Sequence, residues 1–356
     1  MSNTWGNKIK YSIFGESHGD AIGIVIDGLE PGIELNLDSI ASEMKRRAPG
    51  TGKLVTARAE KDGFEILSGF FNGKTTGTPL CSIIRNSDTH SKDYEKTKNL
   101  LRPGHADFTG NFKFKGFNDY RGGGSFSGRL TAPIVFAGSI AKDILRKNNI
   151  IIGSHILSVK DIKDDDIDSL SINKETLDYL HNMDFPVISC GKKALMQQKI
   201  IEAKENMDSV GGVIECFALG VPEGLGDPFF DSFESSLSQL LFSIPAVKGV
   251  EFGLGFHITE LTGYGSNDEF YIENGKIKTY TNNNGGILGG ITNGMPIVFR
   301  TAIKPTPSIA RPQRTVDISK NENSIIEIKG RHDPCILPRA IPVVEAAAAM
   351  CILDFI

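Results

Sequence analysis

Two short runs set a histidine among glycines with a charged residue close by: Gly15-Glu16-Ser17-His18-Gly19 and Arg102-Pro103-Gly104-His105-Ala106-Asp107. A third, Gly330-Arg331-His332-Asp333-Pro334-Cys335, repeats the theme near the C-terminus. Glycine lets backbone approach a ligand closely and adopt positive φ. Histidine is the side chain whose unperturbed pKa lies nearest neutrality. A histidine on glycine-bracketed backbone therefore suits proton transfer. Three such runs, each with an arginine or an acid within three positions, read as the acid–base equipment of an enzyme.

Basic residues recur in Gly-, Ser- and Pro-rich settings. Arg46-Arg47-Ala48-Pro49-Gly50-Thr51-Gly52-Lys53 follows a predicted helix, whose C-terminus also favours a cation. Arg121-Gly122-Gly123-Gly124-Ser125-Phe126-Ser127-Gly128-Arg129 runs into another predicted helix. Backbone N–H groups there, with hydroxyls and Arg129, would cradle a phosphate or carboxylate. Lys304-Pro305-Thr306-Pro307-Ser308 ends a predicted strand, and its prolines hold Lys, Thr and Ser in an extended loop. The Asn284–Gly290 run leaves room for a flat ligand or a close backbone crossing. The implied ligand is rich in negative charge, although the 356-residue chain carries a net charge of −4.

The elements that must position these residues are interleaved strands and helices. Strands are predicted over Ala21–Asp27, Phe64–Phe71, Pro79–Arg85, Gly212–Gly220, Glu251–Glu260 and Pro296–Ile303. Asn72-Gly73 and Asn274-Gly275 mark two hairpins of the tight type I′ kind. Helices are predicted over Leu37–Arg47, with Asn36 as N-cap, and over Ala132–Lys147, Lys192–Met207, Ser232–Phe242 and Val343–Phe355. There is no strict β-α-β rhythm, and the hairpins imply antiparallel pairing. The expected class is a layered α+β fold in one domain spanning 1–356, not a doubly wound parallel sheet.

The slightly acidic balance and the absence of a long basic run exclude a general nucleic-acid binder. Five widely spaced cysteines without a C-x-x-C fit reduced thiols in a cytoplasmic protein, and no metal is expected at His332 and Cys335. No signal peptide or membrane-spanning run is evident. Gly15-Glu16-Ser17-His18-Gly19 formally fits the serine-hydrolase elbow, but a strand follows it where a helix is needed. Gly69–Thr75 is one residue short of a Walker A loop and reads as a hairpin turn. No G-x-G-x-x-G sits between a strand and a helix, so a Rossmann site lacks support.

Together the runs resemble the chorismate synthase family. The matching stretches are Phe14–Gly19, Arg46–Lys53, Arg102–Asp107, Asp119–Gly124, Ala246–Glu251, Gly285–Ile291, Lys304–Ile309 and Gly330–Cys335, in family order. The resemblance implies a β-α-β sandwich subunit in a homotetramer. It implies an anti 1,4-elimination of phosphate and a C6 hydrogen from 5-enolpyruvylshikimate 3-phosphate, giving chorismate in the last step of the shikimate pathway. Reduced FMN is the implied cofactor, lending an electron with no net redox change. NAD(P)H enters only as an indirect reductant through an external flavin reductase, since no nicotinamide motif is present.

Carried over by position, His18 and His105 match the protonating histidines, with His105 placed at the leaving phosphate. Asp333 matches the acid that acts with the flavin in taking the C6 proton. Ser17, Arg47, Lys53, Arg102, Arg129 and Arg331 match substrate-binding positions, where a guanidinium forks onto two oxygens. Ser125, Phe126, Ser127, Ala246, Gly289, Lys304, Pro305, Thr306, Pro307, Ser308 and Arg331 match flavin-side positions, and His332 is left as structural. The segment Ser125–Thr131 departs from the usual Arg-Ser-Ser-Ala-Arg-Glu-Thr, Lys53 stands for a common Arg, Pro245 for Asn and Pro307 for Ser. Altered local binding geometry is expected from these changes, not lost activity.

Overall fold

A computed structural model describes residues 3–48, 62–86, 95, 97–328 and 333–356. Its helices are α1 (Leu37–Arg47), α2 (Asp107–Lys113), α3 (Thr131–Lys147), α4 (Lys174–His181), α5 (Cys190–Glu205), α6 (Phe233–Ser243), α7 (Gly263–Ser266) and α8 (Leu337–Phe355). One five-stranded sheet has the order Thr4–Trp5, Lys10–Gly15, Ala21–Asp27, Leu80–Arg85, Phe64–Ser68. The other has the order Val247–Phe252, Ile297–Ile303, Gly212–Leu219, Ile151–Val159, Ile162–Lys163. All neighbours in both sheets are antiparallel. Helix α3 packs on the first sheet and α8 on the second, and the two helices pack on each other. With α1 and α6 they make the filling of a β-α-β sandwich, the α+β class expected.

The middle position explains α8. A helix covered on every side can be apolar all round, and the buried run Val343–Leu353 is interrupted only by Glu345. Periodicity placed its start at Val343, after Pro342, yet it begins at Leu337. Pro338 in the first turn is favourable there, and burial of the helix overrides the hydrogen bond that Pro342 cannot donate. The helix therefore starts six residues before the expected position.

Helices α3 and α8 approach closely at Gly138. A Cβ built on Gly138 would sit 2.2 Å from Cβ and 2.4 Å from Cα of Ala346. Gly138→Val should therefore destabilise the fold by about 1–3 kcal/mol through overpacking. A urea midpoint equal to wild type would show that the crossing relaxes freely.

Both Asn-Gly hairpins form. Asn72 and Gly73 have φ of 48° and 81°, and Asn274 and Gly275 have φ of 50° and 75°, as type I′ turns demand. The Gly69–Thr75 segment is the first of these hairpins. The strand expected over Glu251–Glu260 is corrected: the strand is Val247–Phe252, and Gly255–Glu260 is a 3-10 turn. Gly253 and Gly255, at φ of 56° and 57°, turn the chain out of the sheet between them. The nine-residue strand Ile151–Val159 was not anticipated, though its Ile- and Val-rich composition carried the signal.

That strand holds a fully buried histidine. His155 Nδ1 lies 3.1 Å from Asp164 Oδ2 and Nε2 3.0 Å from Glu215 Oε2. Burial works against the charged imidazole, but the two carboxylates outweigh it and raise the pKa above its ordinary value. A raised folded pKa stabilises the fold fully below the unfolded value, near 6.5, and the benefit fades as pH rises through the folded pKa. The denaturation midpoint should fall as pH rises above about 6.5. In His155→Gln that alkaline loss should be smaller; an unchanged loss would assign it to other groups.

Candidate active site

Loops that leave both sheets and the ends of four helices enclose a cavity of about 780 Å³. The turn after Lys10–Gly15 brings Ser17 and His18, the end of α1 brings Arg47, and the turn before α2 brings Arg102 and His105. The glycine-rich run brings Ser125, Phe126, Ser127 and Arg129 at the start of α3. The end of Ile297–Ile303 brings Lys304, Thr306, Pro307 and Ser308, and the approach to Val247–Phe252 brings Ala246 and Lys248. Asp333 and Arg339 enter from the start of α8.

Most residues expected at the site therefore meet, including His18, His105 and Asp333 from distant parts of the chain. Gly289 and Pro305 do not line this cavity. Gly289 lies instead in the two-strand turn Ile287–Thr292. Lys53, Arg331 and His332 lie outside the described residues. Gly15 ends a strand that pairs antiparallel with Ala21–Asp27, so Ser17 sits in a hairpin and not on a strand-to-helix elbow.

The turn carrying His18 is held from outside. Asn86 Nδ2 donates to the carbonyls of Glu16 (3.0 Å) and Gly19 (2.8 Å). Ser17 Oγ lies 3.1 Å from His18 Nδ1. Around His105, the Asp107 carboxylate receives the Nδ1 contact at 2.8 Å on Oδ1. Arg102 forks onto the same carboxylate, Nη2 to Oδ1 at 2.7 Å and Nε to Oδ2 at 2.7 Å. Burial would raise the Asp107 pKa, but hydrogen bonds from Arg102 and His105 hold it well below the usual carboxylate range.

Arg47 and Arg129 converge on Asp62, whose side chain is fully buried. Arg47 Nε lies 3.2 Å from Asp62 Oδ2, and Arg129 Nη1 contacts Oδ1. Arg129 also donates from Nε to Asn86 Oδ1 (3.0 Å) and from Nη2 to the Arg85 carbonyl (3.2 Å). The arginines expected to grip a ligand are thus anchored on internal acceptors, which fixes where their cavity-facing edges lie. Ser127 Oγ accepts from the Arg129 N–H, using one donor that had been expected for an anion.

Asp333 and Arg339 line the cavity beside Arg47. Arg339 Nη1 donates to Asp333 Oδ2 at 2.8 Å, and its Nε donates to the Arg47 carbonyl at 3.1 Å. Thr306 Oγ1 donates to the Asp333 carbonyl at 2.7 Å. Arg339 is not among the site residues expected from sequence, because a helix starting at Val343 leaves it outside the element. Leu337-Pro338, a good helix start, was the available signal. Asp62 and Lys248 were missed as well: Asp62 lies in no run that stands out, and Lys248 lies in the matching stretch Ala246–Glu251 without having been singled out in it.

Six basic side chains, Arg47, Arg102, Arg129, Arg339, Lys248 and Lys304, line the cavity against one described acid, Asp333. Burial and the nearby Lys248 charge lower the Lys304 pKa. Two like charges facing one void call for an anion between them. The N-termini of α3 and α8 add positive dipole ends. Ala246 takes φ of 77°, uncommon for a residue with a side chain, while its carbonyl accepts from Lys304 N at 2.9 Å. No described helix is long and apolar enough to cross a membrane.

Residues 9–356 match the family profile described as Chorismate synthase. A chorismate synthase of Methanothermobacter thermautotrophicus is 46% identical over 355 residues, covering 99% of this chain and 93% of the relative. One from Thermococcus kodakarensis is 45% identical over 349 residues, covering 98% and 96%. A solved structure titled "Crystal Structure of Chorismate Synthase" superposes with a TM-score of 0.77 at 31% identity, covering 98% of this chain and 92% of that one.

Proposed function

Because the chain belongs to the chorismate synthase family of lyases, we propose that it converts 5-enolpyruvylshikimate 3-phosphate to chorismate by anti 1,4-elimination, using reduced FMN. The observation that carries this reading is the convergence of His18, His105 and Asp333 on one cavity rich in cations. A substrate with two carboxylates and a phosphate, beside a cofactor with another phosphate, answers that charge.

The cavity fits the cofactor. Its volume is in the upper part of the range for ligand pockets, leaving room for a mononucleotide beside a small acid. Lys304 and Lys248 offer a phosphate position, and the Phe126 ring offers an apolar contact. When bound, reduced FMN supplies an electron transiently and recovers it, so the reaction is redox-neutral.

The chain's own residues do the rest. Arg47, Arg129 and Arg339 orient the anionic substrate, with Ser17 as a hydroxyl partner. His105 gives a proton to the departing phosphate, offsetting charge that develops as the C–O bond breaks. Asp333 accepts the C6 proton, and the electrons of that C–H bond enter the new double bond. His18 holds a proton on the flavin side. The whole chain acts as one domain in this reading, consistent with a core cluster that runs through both sheets and the helices between them. A cytoplasmic homotetramer, whose flavin would be reduced by an external reductase drawing on NAD(P)H, completes it. Exposed Phe270, Ile272 and Ile277 on one hairpin are apolar surface of the kind that assembly covers.

The test is anaerobic turnover with reduced FMN and authentic substrate. Phosphate release with chorismate formation is expected; ligand binding without release would leave only an anion-binding relative. Turnover in air with NADPH and FMN alone would overturn the external-reductase reading. His105→Ala should lower kcat about 10-fold or more with oxidised-FMN binding largely retained. Wild-type turnover in that variant would remove His105 from the mechanism.

A further inference from the structure

The two cavity histidines are joined through Asp107, Arg102 and the Gly122 peptide. His105 Nδ1 meets Asp107 Oδ1, and Asp107 is gripped by Arg102 through Nε, Nη2 and the backbone N–H (2.9 Å). The remaining terminal nitrogen, Nη1, donates to the Gly122 carbonyl at 2.7 Å. Gly122 in turn forms the surface against which His18 lies. A Cβ built on it would be 2.2 Å from His18 Cε1 and 2.4 Å from Nδ1, and its φ is 66°. Only glycine permits both that conformation and that approach.

We propose that Asp107 and Arg102 are positioning residues forming one brace that sets the tautomer of His105 and the seat of His18. This rests on the reading of His105 as the proton donor. An ionised Asp107 can only accept, so it requires a proton on His105 Nδ1 and leaves Nε2 as the nitrogen that exchanges protons in the cavity. Hydrogen bonds from Arg102 and His105 keep the carboxylate ionised and fixed in place. Through Nη1, Arg102 also fixes the peptide beneath His18. Arg102 thereby does more than the anion contact expected of it from sequence.

The experiment uses the full chain labelled with 15N-histidine, observed by long-range proton–nitrogen correlation and paired with anaerobic turnover. In wild type, the neutral His105 ring should carry its proton on Nδ1. In Asp107→Asn the side-chain amide can donate to Nδ1, and the neutral ring should shift towards the Nε2–H form, as an amide does in an Asp–His pair. Turnover should fall about 10-fold or more with KM within a few-fold. The double variant with His105→Ala should be no slower than His105→Ala alone, because the two residues act as a unit. Arg102→Gln should move the resonances of both His105 and His18. An unchanged tautomer in Asp107→Asn, multiplied rate effects, or an unmoved His18 signal in Arg102→Gln would each overturn the brace. If His105→Ala turns over like wild type, the proton-donor reading falls, while the tautomer and His18 signals still judge the brace. Should Asp107→Asn fail to fold, Asp107→Glu and Arg102→Gln decide: Glu must keep the Nδ1 proton and Arg102→Gln must move His18.

Discussion

Asp333→Asn should lower turnover by about 10²–10⁴-fold, the largest loss expected of any single substitution at the site. The amide is nearly isosteric with the carboxylate. Its oxygen can still accept from Arg339 Nη1, which lies 2.8 Å from Asp333 Oδ2. The contact from Thr306 Oγ1 is to the Asp333 main-chain carbonyl and survives the change. Anion binding should therefore persist within a few-fold, because the cations of the cavity are untouched. What disappears is the ability to accept a proton. Initial rates of anaerobic phosphate release, set beside oxidised-FMN affinity, separate the two effects. If affinity collapses along with turnover, Asp333 holds the cavity together; if turnover is unchanged, it takes no proton.

The largest stability effect is expected at Glu345, the one charged residue within the buried run Val343–Leu353 of α8. Its carboxylate receives Arg46 Nη1 at 2.7 Å, Lys142 Nζ at 2.8 Å and Ser154 Oγ at 2.9 Å, and it has no exposed surface. Glu43 meets the same two cations at 3.0 Å each. The cluster ties α1, α3 and α8 together with balanced charge. Glu345→Gln keeps the volume but leaves a net positive charge in the sandwich interior. Removing one partner of such a buried group costs roughly 3–5 kcal/mol, a large part of a typical domain's stability. A denaturant midpoint within error of wild type would show that Glu43 alone balances the cations.

The same cluster predicts acid sensitivity. Burial would raise the pKa of Glu345 and Glu43, but Arg46 and Lys142 hold both below normal. A depressed folded pKa stabilises above the unfolded value, about 4.3, and that contribution is lost as pH falls through the folded pKa. Wild type should therefore lose stability below about pH 4, and Glu345→Gln should lose less over that interval.

Adjacent residues on α1 illustrate how far the sequence could be read. Arg46 and Arg47 stood out together as part of one basic run. Successive helical residues point about 100° apart, so Arg46 enters the sandwich interior while Arg47 reaches the cavity. Nothing local distinguishes them; the two packing environments do. Asp62 was unreadable for a similar reason. It follows Glu60 and Lys61 in a polar stretch with nothing to mark it, and its value comes from Arg47, 15 residues away, and Arg129, 67 away.

What the sequence determined by itself is what short-range rules encode. The Asn-Gly turns, the Asn36 cap that accepts from Ser39 N–H at 3.0 Å, and the bounds of α1 and α3 all depend on neighbours within a few residues. The chemically able residues were visible for the same reason, since each motif is a few residues long. Only the tertiary structure decided which of them share a cavity, which arginines are anchored, and that α8 continues through Pro342 to deliver Arg339. Those outcomes depend on contacts between residues far apart in the chain, up to 292 positions for Arg339 and Arg47. Burial energy and packing settle such contacts, and these can override any local preference.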